Sequence, residues 1–187
     1  DLCLHKPLVA TVGVDGTVRV WNYLRRKCEL VHRAANEEPG CVALHPSGFE
    51  LLVGYKERVR LYALLLSELK PLRELALAKC KEIRYAHGGH QFACAVGISV
   101  ATYSAVTLQQ LYSFPGHIAP VKRVLYSADD LALFSAGVDG AVKGFDLVTG
   151  APLDEPSLLT CSVAYNGLAV QLPRRGQSAA VAVMNAE

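Results

Sequence analysis

The chain has 187 residues, of which 51% are apolar and 19% are charged, and its formal net charge is +2. A chain of this length and apolar content is expected to bury a core, which excludes an intrinsically disordered protein. The small net charge gives no electrostatic basis for nucleic-acid binding, and no apolar run of about 18 residues predicts a membrane span.

Two copies of one hairpin pattern lie far apart in the chain. Residues 13–22 read Gly-Val-Asp-Gly-Thr-Val-Arg-Val-Trp-Asn, and residues 137–146 read Gly-Val-Asp-Gly-Ala-Val-Lys-Gly-Phe-Asp. Asp-Gly between apolar runs favours a tight hairpin turn, because glycine accepts the positive φ that such a turn requires. Each copy therefore predicts two antiparallel strands, of which the second ends in an aromatic residue followed by an amide or an acid.

Aromatic residues recur at a nearly constant interval between these copies. Trp21, Tyr62, Tyr103 and Phe145 are separated by 41, 41 and 42 residues. A repeat of about 40–45 residues with an aromatic near its end is typical of a four-stranded β-propeller blade. The sequence therefore predicts an all-β chain, a β-propeller of about four and a half four-stranded blades that belong to a larger ring.

The repeat divides the chain into five units. The predicted boundaries are about residues 1–27, 28–69, 70–109 and 110–150, with an incomplete unit at 151–187. The predicted strands are 8–12, 18–21, 28–31, 41–45, 50–55, 59–61, 83–86, 92–96, 100–103, 121–126, 131–136, 141–145, 162–169 and 179–184. Because these units fall short of a common seven- or eight-blade ring, we expect some sheet faces to lack a neighbouring blade.

Residues 63–81 support two interpretations. Leucine, alanine, glutamate and lysine dominate this stretch, and their intrinsic propensity favours a helix. The repeat register instead predicts a turn followed by a strand, and Pro71 would interrupt a helix. We follow the register, which places Leu64, Leu65 and Leu66 near the turn between the third and fourth strands of the second unit. Turns normally carry Gly, Asn, Asp or Pro, so these leucines either fold back on their own blade or contact a partner protein.

Neither the cysteines nor the histidines form a complete metal-binding pattern. The six cysteines are Cys3, Cys28, Cys41, Cys80, Cys94 and Cys161, and no two are close enough in sequence for a CxxC pair. We interpret them as free thiols in a reducing compartment. His87 and His90 could contribute to a metal site, but a Gly-Gly turn separates them and no further ligand is evident, so turn residues are favoured. The sequence predicts no metal, cofactor or catalytic site.

The fourth unit resembles the WD-repeat family. It carries a Gly-His pair before its first strand, a Ser-Ala-Gly-Val-Asp segment, and an aromatic-acid ending. In that family a His, a Ser or Thr, an Asp and a Trp form a hydrogen-bonded tetrad inside each blade. The resemblance implies that His117, Ser135, Asp139 and Phe145 are this tetrad. Phe145 departs from the pattern, because phenylalanine has no indole N–H to donate.

The first unit supplies an incomplete version of the same tetrad. The resemblance assigns Thr11, Asp15 and Trp21 to it, and the matching histidine would precede residue 1. The middle units lack the tetrad acids. An aspartate that is held by histidine and backbone inside a blade has a structural role, so the resemblance implies no catalytic residue.

A narrower resemblance is to axonemal WD-repeat proteins. The residues that carry it are 44–48 (Leu-His-Pro-Ser-Gly), 60–61 with the leucines that follow, 88–90 (Gly-Gly-His) and 121–150. The resemblance implies a scaffold of two propellers and a long coiled coil that helps anchor inner dynein arms on the doublet microtubules of the ciliary axoneme. Its implied partners are inner-dynein-arm or doublet-associated proteins. Because the first residue is Asp1 rather than methionine, we expect the sequence to come from a longer polypeptide.

The sequence is compatible with two classes of function, an interaction scaffold and an enzyme. A propeller presents loops at both rims to partner proteins, which favours a non-enzymatic interaction scaffold. An enzyme would require convergent ionisable groups, and the acids of this sequence are scattered. If the narrower resemblance does not hold, the alternative is an adaptor in another intracellular complex, such as a ubiquitin ligase or a trafficking coat.

Overall fold

The computed structural model describes residues 1–3, 5–34, 37–153, 165–171 and 180–185. Within these residues the chain forms seventeen strands and no helix. The strands are β1 Leu2–Cys3, β2 Leu8–Val12, β3 Thr17–Asn22, β4 Lys27–Arg33, β5 Cys41–Leu44, β6 Glu50–Gly54, β7 Val59–Leu64, β8 Leu69–Leu75, β9 Cys80–Tyr85, β10 Gln91–Val96, β11 Ser99–Ser104, β12 Gln110–Pro115, β13 Val121–Tyr126, β14 Ala132–Gly137, β15 Val142–Asp146, β16 Tyr165–Gln171 and β17 Ala180–Asn185. Accordingly, the described part of the chain has no long apolar helix that could cross a membrane.

Strands that follow one another in sequence pair to form successive antiparallel sheets. Strands β1–β4, β5–β8 and β9–β12 form three four-stranded sheets, β13–β15 form a three-stranded sheet, and β16 pairs with β17. We call the first four sheets blades 1 to 4. Successive blades pack face to face, so the chain is a β-propeller, and the predicted all-β class is confirmed.

The leucine-rich segment forms part of blade 2 rather than a helix. Strand β7 pairs with β8 so that Leu64 lies opposite Leu69 and Tyr62 lies opposite Pro71. Because β8 is the edge strand of its sheet, the missing N–H of Pro71 can be tolerated there. Pairing within the blade thus overrides the local helix propensity.

The four recurring aromatic residues occupy equivalent positions in their blades. Each lies near the end of the third strand, opposite an apolar residue of the second strand. These pairs are Trp21 with Val9, Tyr62 with Leu51, Tyr103 with Phe92, and Phe145 with Leu133. In the three four-stranded blades, the pairing with the fourth strand shifts register immediately before the aromatic. The interval in the sequence therefore corresponds to a repeat of the backbone geometry.

Apolar side chains fill the space between successive blades. In strand β6, Leu51 and Val53 belong to the core shared with blade 1, whereas Leu52 belongs to the core shared with blade 3. All three are at most 1% exposed. A strand that is covered on both faces needs apolar residues at successive positions, which explains the continuous apolar runs in the sequence.

The cysteines contribute to these cores as free thiols. Cys3, Cys41, Cys80 and Cys94 are buried, and Cys28 is partly buried. None of these five described cysteines forms a disulfide. The sixth, Cys161, lies outside the described residues.

Carboxylates on or next to the first strand of a blade link that blade to the next one. The backbone N–H of Leu44 in blade 2 donates to the Asp1 carboxylate at 2.9 Å, and the N–H of Val124 in blade 4 donates to the Glu82 carboxylate of blade 3 at the same distance. Burial raises the pKa of Glu82, although the Arg84 guanidinium beside it opposes this effect. These bonds fix the alignment of adjacent blades because each joins a side chain to the neighbouring backbone.

One face of blade 1 has no blade against it in the described residues. Leu2, Val9 and Trp21 form a cross-strand row on this face. Leu2 and Trp21 are 51% and 38% exposed, and Val31 on the outer strand is 59% exposed. The equivalent aromatics Tyr62, Tyr103 and Phe145 are at most 4% exposed, because each has a preceding blade to cover it. This uncovered face is of the kind expected for an incomplete ring.

Replacement of Thr102 with valine is expected to stabilise the folded protein. Its side chain is fully buried in blade 3, and its hydroxyl has no hydrogen-bond partner among the described residues. Valine keeps the shape and removes the unsatisfied polar atom, so Thr102→Val should raise the free energy of unfolding by about 1 kcal/mol. Urea unfolding measures this change. The matched control is Thr17→Val, which should lower the stability because the Thr17 hydroxyl donates to Asp15 at 2.7 Å. A loss of stability for Thr102→Val would contradict the prediction.

Candidate functional site

Three polar residues of blade 4 are brought together in the interior of the propeller. His117 lies in the loop before β13, Ser135 lies on β14, and Asp139 lies in the turn between β14 and β15. Nδ1 of His117 is 3.0 Å from the nearer Asp139 carboxylate oxygen, and Nε2 is 2.7 Å from the Ser135 hydroxyl. The backbone N–H groups of Ile118 and Ala141 also donate to Asp139, each at 3.1 Å. The turn, the loop and the strand are therefore tied together around one carboxylate.

The hydrogen bonds stabilise the Asp139 carboxylate. With the imidazole proton on Nδ1, His117 donates to the carboxylate, and Nε2 accepts from the Ser135 hydroxyl. Burial opposes the ionisation of Asp139, but the N–H of Ala141, the imidazole of His117 and the N–H of Ile118 outweigh this effect and lower its pKa. The cluster thus favours the ionised form of Asp139.

The hydrogen-bonded series Ser135–His117–Asp139 resembles the catalytic triad of a hydrolase. The Ser135 hydroxyl, however, is not accessible as a nucleophile. Ser135 is 0% exposed and His117 is 3% exposed, since both lie within the packed blades. A nucleophile must reach a substrate carbonyl, and this hydroxyl has no open path to one. The arrangement is suited to holding the blade together.

Phe145 belongs to the same blade but makes a different kind of contact. Its ring stacks on Phe114 of blade 3, with the ring centroids 4.5 Å apart. It has no N–H with which to donate to Ser135. The fourth position of the tetrad therefore contributes packing against the preceding blade.

In blade 1 the structure brings together only part of the corresponding set. The indole N–H of Trp21 donates to the Thr11 hydroxyl at 2.9 Å. The Asp15 carboxylate instead accepts from the Thr17 hydroxyl at 2.7 Å and pairs with Arg19 at 2.6 Å. Among the described residues, Asp15 is thus bound by local partners, Thr17 and Arg19.

One of the two histidines of the Gly-Gly turn, His87, contacts the neighbouring blade. Nδ1 of His87 is 2.8 Å from the Asp130 carboxylate, which also accepts the backbone N–H groups of His87 and Gly88. This contact joins the turn of blade 3 to a turn of blade 4. Within the described residues, no group of three or more His, Cys, Asp or Glu side chains could hold a metal ion.

Leu64, Leu65 and Leu66 line a groove between blades 1 and 2. We call it the rim groove and define it by these leucines together with Lys6, Pro7 and Phe49. The turn of blade 2 positions the leucines, since the N–H of Leu64 donates to the backbone carbonyl of Phe49 and the N–H of Leu65 donates to the backbone carbonyl of Glu68. Leu65 is 45% exposed, and Leu66 at the tip is fully exposed. The structure thus leaves part of the leucine run uncovered.

Lys6 and Phe49 are parts of the rim groove that the sequence reasoning missed. The Lys6 ammonium lies 3.0 Å from the centre of the Phe49 ring and donates to the Gly48 carbonyl at 3.1 Å. Gly48 has a φ of +69°, and a Cβ there would come within 2.7 Å of the Lys6 side chain. The Pro-Ser-Gly turn was visible in the sequence, but nothing local indicates that it meets the turn of the preceding blade.

Comparisons with known proteins agree with this architecture. The model of the family described as "WD domain, G-beta repeat" matches residues 2–22 and 108–146. Cilia- and flagella-associated protein 57 of Mus musculus is 37% identical over 168 residues, which cover 90% of this chain and 13% of that protein. Cilia- and flagella-associated protein 57 A of Tetrahymena thermophila is 34% identical over 149 residues, which cover 76% of this chain and 11% of that protein. The chain therefore spans only a small part of the length of these relatives.

Proposed function

The chain is a WD-repeat β-propeller with homology to cilia- and flagella-associated protein 57 over most of its length, and on this premise we propose that it is a non-enzymatic interaction module of the ciliary axoneme. In this role it helps to position inner dynein arms on doublet microtubules. The observation that carries the proposal is the similarity over 90% of the chain to a protein whose name places it in cilia and flagella.

The propeller supplies the rigid frame that such a module requires. WD-repeat propellers generally serve as interaction scaffolds, with blades that hold loops in fixed positions. Cores on both faces of the middle blades and carboxylate bonds between inner strands limit the motion of one blade against the next. A partner that binds across two blades would therefore meet a preformed surface.

Exposed apolar side chains at both ends of the blades support the proposal that the propeller binds other proteins. Val14 and Ile118, in turns at one end, are 98% and 91% exposed. Phe49 and Leu66 lie in turns at the other end, where Phe49 is 61% exposed and Leu66 is fully exposed. Apolar side chains that the rim turns hold in water are available for contact with a partner protein.

The proposal is tested in motile ciliated cells. The tagged protein is expected to remain with detergent-extracted axonemes, and axonemes from cells that lack the protein should lose inner-arm dynein chains in quantitative mass spectrometry. The outer-arm dynein chains are the internal control and should be unchanged. Recovery of the protein with a ubiquitin ligase or a trafficking coat, and not with axonemes, would contradict the proposal and favour the alternative.

A further inference from the structure

We propose that the rim groove binds an amphipathic segment of another protein that presents aliphatic and acidic side chains together. The inference deepens the proposed function, because it names the surface of the scaffold and the chemistry of its partner. It rests on the apolar lining of the groove, on the charges beside it and on its size.

The apolar part of the argument begins at the turn between β7 and β8. Leu66 is fully exposed and Leu65 is 45% exposed, although a turn here needs neither residue for its conformation. Phe49 from the neighbouring turn of the same blade is 61% exposed. Since water is an unfavourable environment for three large apolar side chains at one edge, an apolar partner would gain by covering them.

The apolar surface continues beyond the groove onto blade 1. Tyr23 and Leu24 are 42% and 74% exposed, and they lie in sequence between Asn22 and Arg25, which line the groove. A small molecule in the groove would leave this extension uncovered. A peptide segment that lies across both turns would cover it, so the extent of the surface favours a protein partner.

The charged groups favour acidic residues in that segment. Among the described residues, the Lys6 ammonium has no carboxylate partner and is held only by a carbonyl and the Phe49 ring. The Arg25 side chain is 78% exposed, and its contact with Glu29 is 3.7 Å long. Of the groove-lining residues that the structure describes, only Glu29 has a carboxylate, and it already accepts from the Asn22 amide at 2.9 Å.

The charges just outside the groove lead to the same conclusion. Arg26 and Lys27 follow Arg25 and are exposed, and Glu68 on the turn of blade 2 is the acid nearest to the leucines in sequence. Positive groups therefore outnumber negative ones along the groove. Carboxylates on a partner would meet Lys6 and Arg25 with opposite charge, whereas lysines would be repelled.

The groove has the size for several side chains of a peptide. Its volume is about 560 Å³, which lies within the range of about 300–1,000 Å³ that is typical of binding clefts. An amphipathic helix places apolar anchors in such a groove at positions i, i+3 or i+4, and i+7, with charged residues alongside. This is the form of partner that we use in the test.

The test measures the binding of two synthetic helical peptides to the full-length protein by fluorescence anisotropy. One peptide has about 20 residues, with leucines along one face and glutamates on the flanks, and the other has lysine in place of each glutamate. The glutamate peptide is expected to bind more tightly than the lysine peptide by about tenfold or more. Equal binding of the two peptides, or no binding of the glutamate peptide, would overturn the inference.

Variants locate the binding site on the protein. Leu65→Ser combined with Leu66→Ser should weaken the binding of the glutamate peptide by about tenfold or more, and Leu66→Ser alone should weaken it with no change in thermal stability. Lys6→Glu should reduce the preference for the glutamate peptide over the lysine peptide, because Arg25 remains as the positive group that lines the groove. The matched control is Val106→Ser, which removes an aliphatic side chain that is 74% exposed in the corresponding turn of blade 3 and should have no effect. Unchanged binding by Leu66→Ser and Lys6→Glu would show that the peptide binds elsewhere.

A second measurement separates this inference from the proposed function. Axonemes are isolated from cells that express either the wild-type protein or the Leu65→Ser, Leu66→Ser variant. If the variant is lost from axonemes and the wild-type protein is retained, the inference is supported. If both are retained equally, the groove is not the contact but the ciliary function stands. Absence of the wild-type protein from axonemes would contradict the proposed function itself.

Discussion

Replacement of Phe92 with alanine is expected to lower the free energy of unfolding by about 3–5 kcal/mol. Phe92 is fully buried on β10, in the core between blades 2 and 3. Its ring stacks on Tyr103 at a centroid distance of 5.4 Å and meets the edge of Tyr85 at 5.7 Å. Its removal leaves a cavity between two blades that their backbones, tied by strand pairing, cannot readily close. Urea unfolding monitored by fluorescence measures the loss.

The exposed Phe49 provides a matched control for this substitution. Its ring is 61% exposed and contacts the Lys6 ammonium. Phe49→Ala should therefore change the stability by less than about 1 kcal/mol. If the two alanine variants lost similar amounts of stability, the core between blades 2 and 3 would not be the principal support of the fold.

The architecture was predictable because the blade repeat has local signals. The Asp-Gly turns mark the hairpins of blades 1 and 4, and the recurring aromatics mark the same place in the two blades between them. Blade 2 turns through Lys56-Glu57 without an Asp-Gly pair, and it forms the same hairpin. The sequence around residues 63–81 was ambiguous, because its residues favour a helix when taken alone. Strand β8 forms because it pairs with β7.

The contacts between blades could not be read from the sequence. The family resemblance points to His117, Ser135 and Asp139 as one set, and these three residues lie within one blade, where the repeat fixes their positions. By contrast, Phe114 contacts Phe145, and Lys6 contacts Phe49, across a boundary between blades. Phe114 and Phe145 are 31 residues apart in sequence, Lys6 and Phe49 are 43 apart, and only the stacking of whole sheets brings each pair together. The contacts that a side chain makes with a neighbouring blade are therefore seen only in the structure.

Replacement of Asp139 with alanine is expected to lower the free energy of unfolding by about 2–3 kcal/mol. The carboxylate accepts from the imidazole of His117 and from the backbone N–H groups of Ile118 and Ala141. Without it, the buried His117 loses the partner that orients its ring towards Ser135. Thermal unfolding measures the loss. Asp15→Ala, in the equivalent turn of blade 1, is the matched control and should cost less, since that carboxylate is exposed to water.

The contribution of Asp139 is also expected to depend on pH in the acidic range. Because the pKa of Asp139 in the folded protein lies below its usual value of 3.8, the unfolded chain takes up a proton at a higher pH than the folded one. The stabilisation is therefore complete above the usual value and is lost as the pH falls through the folded pKa. The difference in unfolding free energy between the wild-type protein and Asp139→Asn should be largest near neutral pH and should shrink below about pH 4. Taking this difference cancels the titration of the other carboxyl groups. A difference that stays constant from about pH 7 to about pH 3 would show that the ionised carboxylate is not what joins the loop to the turn.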